Sequence, residues 1–95
     1  MTSPSGAPVE HALHPGAPNP FANSTRLRFD VASREHATLV VYDATGRELA
    51  TLVDDTYLPG RYAVERDALG WAPGVYLVRL QIGDERMTRS LTLLR

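Results

Sequence analysis

The chain has 95 residues, 43% of them hydrophobic and 22% charged, enough for one domain with a single two-layer core. It contains no cysteine, so no disulfide supports the fold and none reports the compartment, and all ten of its basic residues are arginine, which removes Schiff-base and P-loop lysine chemistry. A net charge of −1 and a pI near 6.3 provide no overall field to hold a polyanion and argue against nucleic acid as a partner.

Residues 1–8 are rich in Pro, Ser, Gly and Ala, with neither the basic start nor the apolar stretch of a secretory signal. They read as a flexible linker ahead of a domain over residues 9–95, cut from a longer protein. No run is long and apolar enough to insert in a membrane. Pro18 and Pro20 each fix their own φ and bias the preceding residue to extended geometry, so 17–20 is a stiff elbow that aims Phe21 into the core. Asn19 and Asn23 are expected to bond their own backbone in turn geometry.

From residue 25 the period of two takes over. Leu27, Phe29 and Val31 share one face of a strand over 25–31, with Arg26, Arg28 and Asp30 on the other. A second strand over 37–42 has apolar residues on both faces, so both are expected to be partly covered. Asp43-Ala44-Thr45-Gly46 then has the pattern of a type I turn closed by a bulge. The return strand runs from Glu48 to Val53 and ends at Asp54-Asp55, and Leu58-Pro59-Gly60 punctuates the chain before another strand over 61–66. After a loop over 67–73, Gly74 opens the most apolar strand, 75–82, expected at the centre of a sheet. Gly83-Asp84 turns the chain into a last strand over 85–94 with Met87, Leu91 and Leu93 on one face and Arg89 interrupting it. Short strands at regular spacing and no helical period predict an all-β sandwich of about seven antiparallel strands. The expected core includes Leu27, Phe29, Leu39, Val41, Leu49, Tyr76, Val78, Leu80 and Leu91. Tyr76 is placed to bond backbone in the manner of a tyrosine corner.

The chemistry-bearing residues do not assemble into a catalytic pattern. No serine sits in a nucleophile elbow, and no two carboxylates lie where one pKa would rise, so an enzyme is not expected. His11, His14 and His36 are read as surface histidines, and Asp43, Asp54, Asp55 and Asp84 as solvated turn acids without EF-hand spacing; neither a metal nor a cofactor is expected. Arg26, Arg28, Arg79, Arg86, Arg89 and Arg95 either blunt sheet edges or meet an anionic partner. Trp71 either caps one end of the core or, with Tyr57 or Tyr62, forms a sugar-docking platform.

Five pieces then occur in a telling order: Pro18-Asn19-Pro20-Phe21 with Asn23-Ser24-Thr25, Val41-Tyr42-Asp43 with Gly46-Arg47-Glu48, Leu58-Pro59-Gly60, Gly74-Val75-Tyr76, and Leu93-Leu94-Arg95. In this the chain resembles the type A C-terminal sorting domain of the type IX secretion system and its relative, the immunoglobulin-like domain of the flagellar hook-capping protein. Ser90 departs from the lysine many members carry, and Trp71 from the usual leucine. The resemblance implies an immunoglobulin- or fibronectin III-like sandwich that is non-catalytic and monomeric. It implies that the domain directs an upstream cargo in the same chain, exported through a signal peptide and the periplasm, across the outer membrane to the cell surface or medium. The outer-membrane secretion machinery is the implied partner. Recognition is expected at the C-terminus, at Arg89, Leu93, Leu94 and Arg95. Asn19, Pro20, Phe21, Gly46, Gly60, Gly74 and Tyr76 are the expected structural motif. A passive spacer and a carbohydrate-binding or adhesive module are the alternatives.

Overall fold

A computed structural model describes residues 8–94, so most of the expected linker and Arg95 lie outside the described residues. These residues form seven strands: β1 (Ala12–Leu13), β2 (Ser24–Val31), β3 (Glu35–Tyr42), β4 (Glu48–Tyr57), β5 (Gly60–Asp67), β6 (Gly74–Ile82) and β7 (Glu85–Leu93). One sheet has the order β1-β2-β5 and the other β4-β3-β6-β7, every neighbouring pair antiparallel. The fold is the all-β sandwich predicted, with β6 in the interior of its sheet as its apolar run requires.

The alternation of each strand decides what lies between the sheets. Leu27, Phe29 and Val31 from β2 meet Ala37, Leu39 and Val41 from β3 and Tyr76, Val78, Leu80 and Ile82 from β6, all buried. Burying each large side chain contributes about 1.5–3 kcal/mol over leaving it exposed. Tyr57 and Tyr62 pack on Phe29 with ring centroids 5.5 Å away, closing one end of the core.

Two expectations fail for identifiable reasons. Leu49 is 40% exposed instead of buried. The β3–β4 ladder pairs Val41 with Ala50 and Tyr42 with Glu48, which leaves Leu49 as the extra residue of a bulge and turns it off the core face. The strand expected to stop at Val53 continues to Tyr57, because β3 supplies ladder partners for Asp54 and Asp55 at Thr38 and Ala37. On an edge strand that ladder outweighs the poor β-propensity of aspartate. Val40 and Tyr42 are half-buried on the outer face of β3, where no element of the described residues covers them. Their neighbours shield them: Leu77 pairs with Tyr42, and the Arg79 guanidinium lies 5.3 Å from the Tyr42 ring centroid.

The Asp43 turn forms as predicted. Gly46 donates to the Asp43 carbonyl at 3.0 Å with φ +88°, a value an L side chain would resist.

Candidate functional site

Three of the four residues singled out for recognition, Arg89, Leu93 and Leu94, lie along one rim of the sandwich, where β1 and β7 run past each other. The chain leaves β1 through His14, whose backbone N–H donates to the Arg28 carbonyl, and Ala17 still pairs with Arg26 of β2. It then crosses to the other sheet. Phe21 donates to the Thr92 carbonyl and accepts from the Leu94 N–H, both at 2.9 Å, in a parallel bridge to Leu93. The crossing needs a close approach at Gly16, where an added Cβ would stand 2.5 Å from Leu91 Cδ2.

Asn19 completes the crossing in a way that departs from the turn predicted for it. Its side-chain amide donates to the Ser90 carbonyl at 3.0 Å, and its Oδ1 accepts from the Thr92 N–H at 2.9 Å. One side chain thus supplies the donor and acceptor that a neighbouring strand would offer β7. The backbone of the elbow is engaged as well: the Thr25 hydroxyl donates to the Pro18 carbonyl at 2.8 Å. Phe21 is 3% exposed, as the elbow was expected to aim it, while Pro20 is exposed.

Four residues were expected to carry recognition. Leu93 is fully buried against the core, whereas Leu94 turns outward at 55% exposure. Arg89 reaches across the rim, its Nε donating to the Leu13 carbonyl of β1 at 2.9 Å, and so ties the two sheets together. Arg95 lies outside the described residues. The structure therefore brings Asn19, Phe21, Arg89, Leu93 and Leu94 onto one rim but gives them different surroundings.

The remaining motif residues stand apart from this rim. Tyr76 donates its hydroxyl to the Ala72 carbonyl four residues back, the corner anticipated for it. Tyr62 makes the equivalent bond to the Leu58 carbonyl at 2.6 Å, beside Gly60. Gly74 opens β6 at φ +150°. Trp71 packs against Tyr76 with ring centroids 5.1 Å apart, at the opposite end of β5 from Tyr57 and Tyr62, so the three rings share no platform.

Near this end of β6 the Asp43 carboxylate lines a cleft with Thr45, Pro73 and Val75. The Thr45 hydroxyl first, then the Arg47 N–H, hold its pKa below the usual carboxylate range, so it is ionised at neutral pH and unsuited to take up a proton there.

The histidines have defined partners that sequence reasoning missed. His11 Nδ1 accepts from the Ala32 N–H at 3.0 Å, and His14 Nε2 lies 2.9 Å from Asp30 Oδ2, so both fasten β1 to β2. His36 Nε2 lies 2.7 Å from Asp54 on the far edge. Among the described residues no group of three His, Cys, Asp or Glu side chains converges to hold a metal ion.

The rim, the two tyrosine corners and the bulged turn coincide with the pieces of sequence that suggested a sorting domain, and comparison with known families agrees. The family described as Secretion system C-terminal sorting domain matches residues 17–93, from the start of the elbow to the end of β7. No curated protein and no solved structure matches the chain. The chain belongs to the family of type IX secretion C-terminal sorting domains.

Proposed function

We propose that this domain is a non-catalytic sorting module, which directs a cargo domain upstream in the same chain from the periplasm through the type IX machinery to the cell surface or medium. The observation that carries the reading is the family match over residues 17–93, which takes in β2 to β7. The physical role asked of such a module is to present a stable shape to a receptor, and a sandwich with fixed corners suits it. In this reading Leu94 offers an outward apolar contact beside the rim, while Leu93 and Arg89 act from within by holding β7 in place.

The test is a fluorescent protein with a signal peptide fused ahead of residues 1–95, expressed in a host with a type IX system. The intact fusion is expected at the surface or in the medium, and a version lacking residues 91–95 in the periplasm. Equal release of both, or retention of both, would discard the sorting reading and leave a spacer domain.

A further inference from the structure

β7 is an edge strand with an unusual division along its length. It pairs with β6 through nine residue pairs without a register shift. On its other side Asn19 and Phe21 engage the Ser90 carbonyl, both backbone groups of Thr92 and the Leu94 N–H. Backbone groups of alternate residues face the same side of a strand, so the N–H and C=O of Arg86 and Thr88 and the N–H of Ser90 lie on this outer edge too. Among the described residues no chain segment pairs with them.

The other edges carry recognised defences. β1 is two residues long; β4 is broken by two register shifts and carries Asp54 and Asp55; β5 mixes Arg61, Glu65, Arg66 and Asp67. The open stretch of β7 is regular, and its charge is of one kind. Arg86 is exposed on the outer face and Arg89 emerges at the rim, while Arg79 on the adjoining strand is turned towards the Tyr42 ring of β3. No carboxylate of the described residues lies within ion-pair distance of any of the three. A second copy of β7 would bring these arginines against their own kind, whereas an acidic strand would be drawn in and oriented.

We propose that the edge from Arg86 to Ser90 docks an extended acidic segment of the secretion machinery, which adds to the four-stranded sheet as a fifth strand. The proposal of this partner rests on the sorting reading; the edge itself does not. Main-chain bonds to Arg86, Thr88 and Ser90 supply the affinity, and carboxylates facing Arg86 supply the selectivity.

The test uses the full chain, titrated with the peptide acetyl-Glu-Val-Glu-Val-Glu-amide and followed residue by residue by NMR. Amide shifts and slowed hydrogen exchange are expected at Arg86, Thr88 and Ser90. The lysine counterpart of the peptide should bind about tenfold more weakly, equivalent to about 1.4 kcal/mol. Thr88→Pro, which removes an outward N–H, should weaken binding about tenfold, and Thr88→Val should stay within about twofold. Should Thr88→Pro fail to fold, Arg86→Glu decides, since it should reverse the preference between the two peptides. Shifts centred elsewhere, or equal binding of both peptides, would overturn the edge assignment.

The export fusion separates the two readings. Retention of Thr88→Pro or Arg86→Glu fusions alongside release of Thr88→Val assigns the edge to the machinery, and release of all of them like wild type overturns that assignment while sorting stands. A wild-type fusion that is not exported refutes sorting, and the peptide titration then judges the edge alone.

Discussion

Replacing Asn19 by alanine should detach the elbow from β7 without disturbing the core. The side chain makes two hydrogen bonds, to the Ser90 carbonyl at 3.0 Å and from the Thr92 N–H at 2.9 Å, both solvent-exposed. At about 0.5–1.5 kcal/mol each, and towards the lower half because water can replace them, their loss should cost about 1–2 kcal/mol. For a domain of this size each kcal/mol lowers Tm by about 4–8 °C. Asn19→Asp sharpens the test. It retains the acceptor for Thr92 but sets a carboxylate against the Ser90 oxygen, so at pH 7 it should be at least as destabilised as alanine. That carboxyl would have its pKa raised by folding, because its protonated form can donate to Ser90. Its stabilising contribution is then present below the unfolded pKa of about 3.9 and lost as pH rises through the folded value, so the gap from wild type should narrow in acid. Urea unfolding at several pH values, with hydrogen exchange read at Thr92 and Leu94, measures all of this. A change within the roughly 0.5 kcal/mol typical of surface substitutions, with Thr92 exchange unaltered, would refute the view that Asn19 acts as a surrogate strand.

Gly16→Ala should destabilise by about 1–3 kcal/mol in urea unfolding, since its Cβ would meet Leu91 Cδ2 at 2.5 Å in a packed interior. Phe29→Ala should cost about 3–5 kcal/mol, because the ring is 1% exposed and supports Tyr57 and Tyr62; a loss below about 1 kcal/mol would show that this aromatic group is not part of the core. Burial first, then Asp55 and Tyr62, raise the Tyr57 pKa above its ordinary 10.0, so its contribution is present below that value and lost as pH climbs beyond it; alkaline melts should show Tyr57→Phe losing less stability than wild type across that range. Arg89→Met keeps the aliphatic stem but loses the bond to the Leu13 carbonyl, and should cost about 0.5–1.5 kcal/mol with faster exchange in β1.

What could be read from the chain was what local chemistry decides. The Asp43-to-Gly46 turn needs an acceptor and a glycine at fixed offsets, and both the bond and the positive φ are there. The apolar run of β6 demanded a covered position and received one between β3 and β7. Tyr76 reaches back only four residues to Ala72, a distance at which sequence still constrains geometry. The partners of Asn19 lie 71 and 73 residues away, so a local rule for asparagine pointed to a turn and missed the strand. Leu49 followed the alternation until a bulge shifted the register, and nothing in the residues around it announces a bulge. β1 is too short to show a period; it is held by the bonds of the flanking His11 and His14 to Ala32 and Asp30 and by Arg89 of β7 at the Leu13 carbonyl.

These contacts change what the resemblance to sorting domains implies about individual residues. Phe21 and Leu93 are buried together, Gly46 and Gly74 occupy backbone conformations that side chains resist, and Tyr76, Asn19 and Arg89 bond to the protein's own backbone. A receptor has little direct access to such groups. It meets the shape they maintain, namely a β7 whose second half is held by the elbow and whose first half presents unpaired backbone beside arginines. Loss of export on mutating any of the buried or bonded residues would therefore report unfolding as readily as lost contact. The positions that separate the two are those whose removal leaves the rim intact: the outward Leu94, and Arg86 and Thr88 on the open edge.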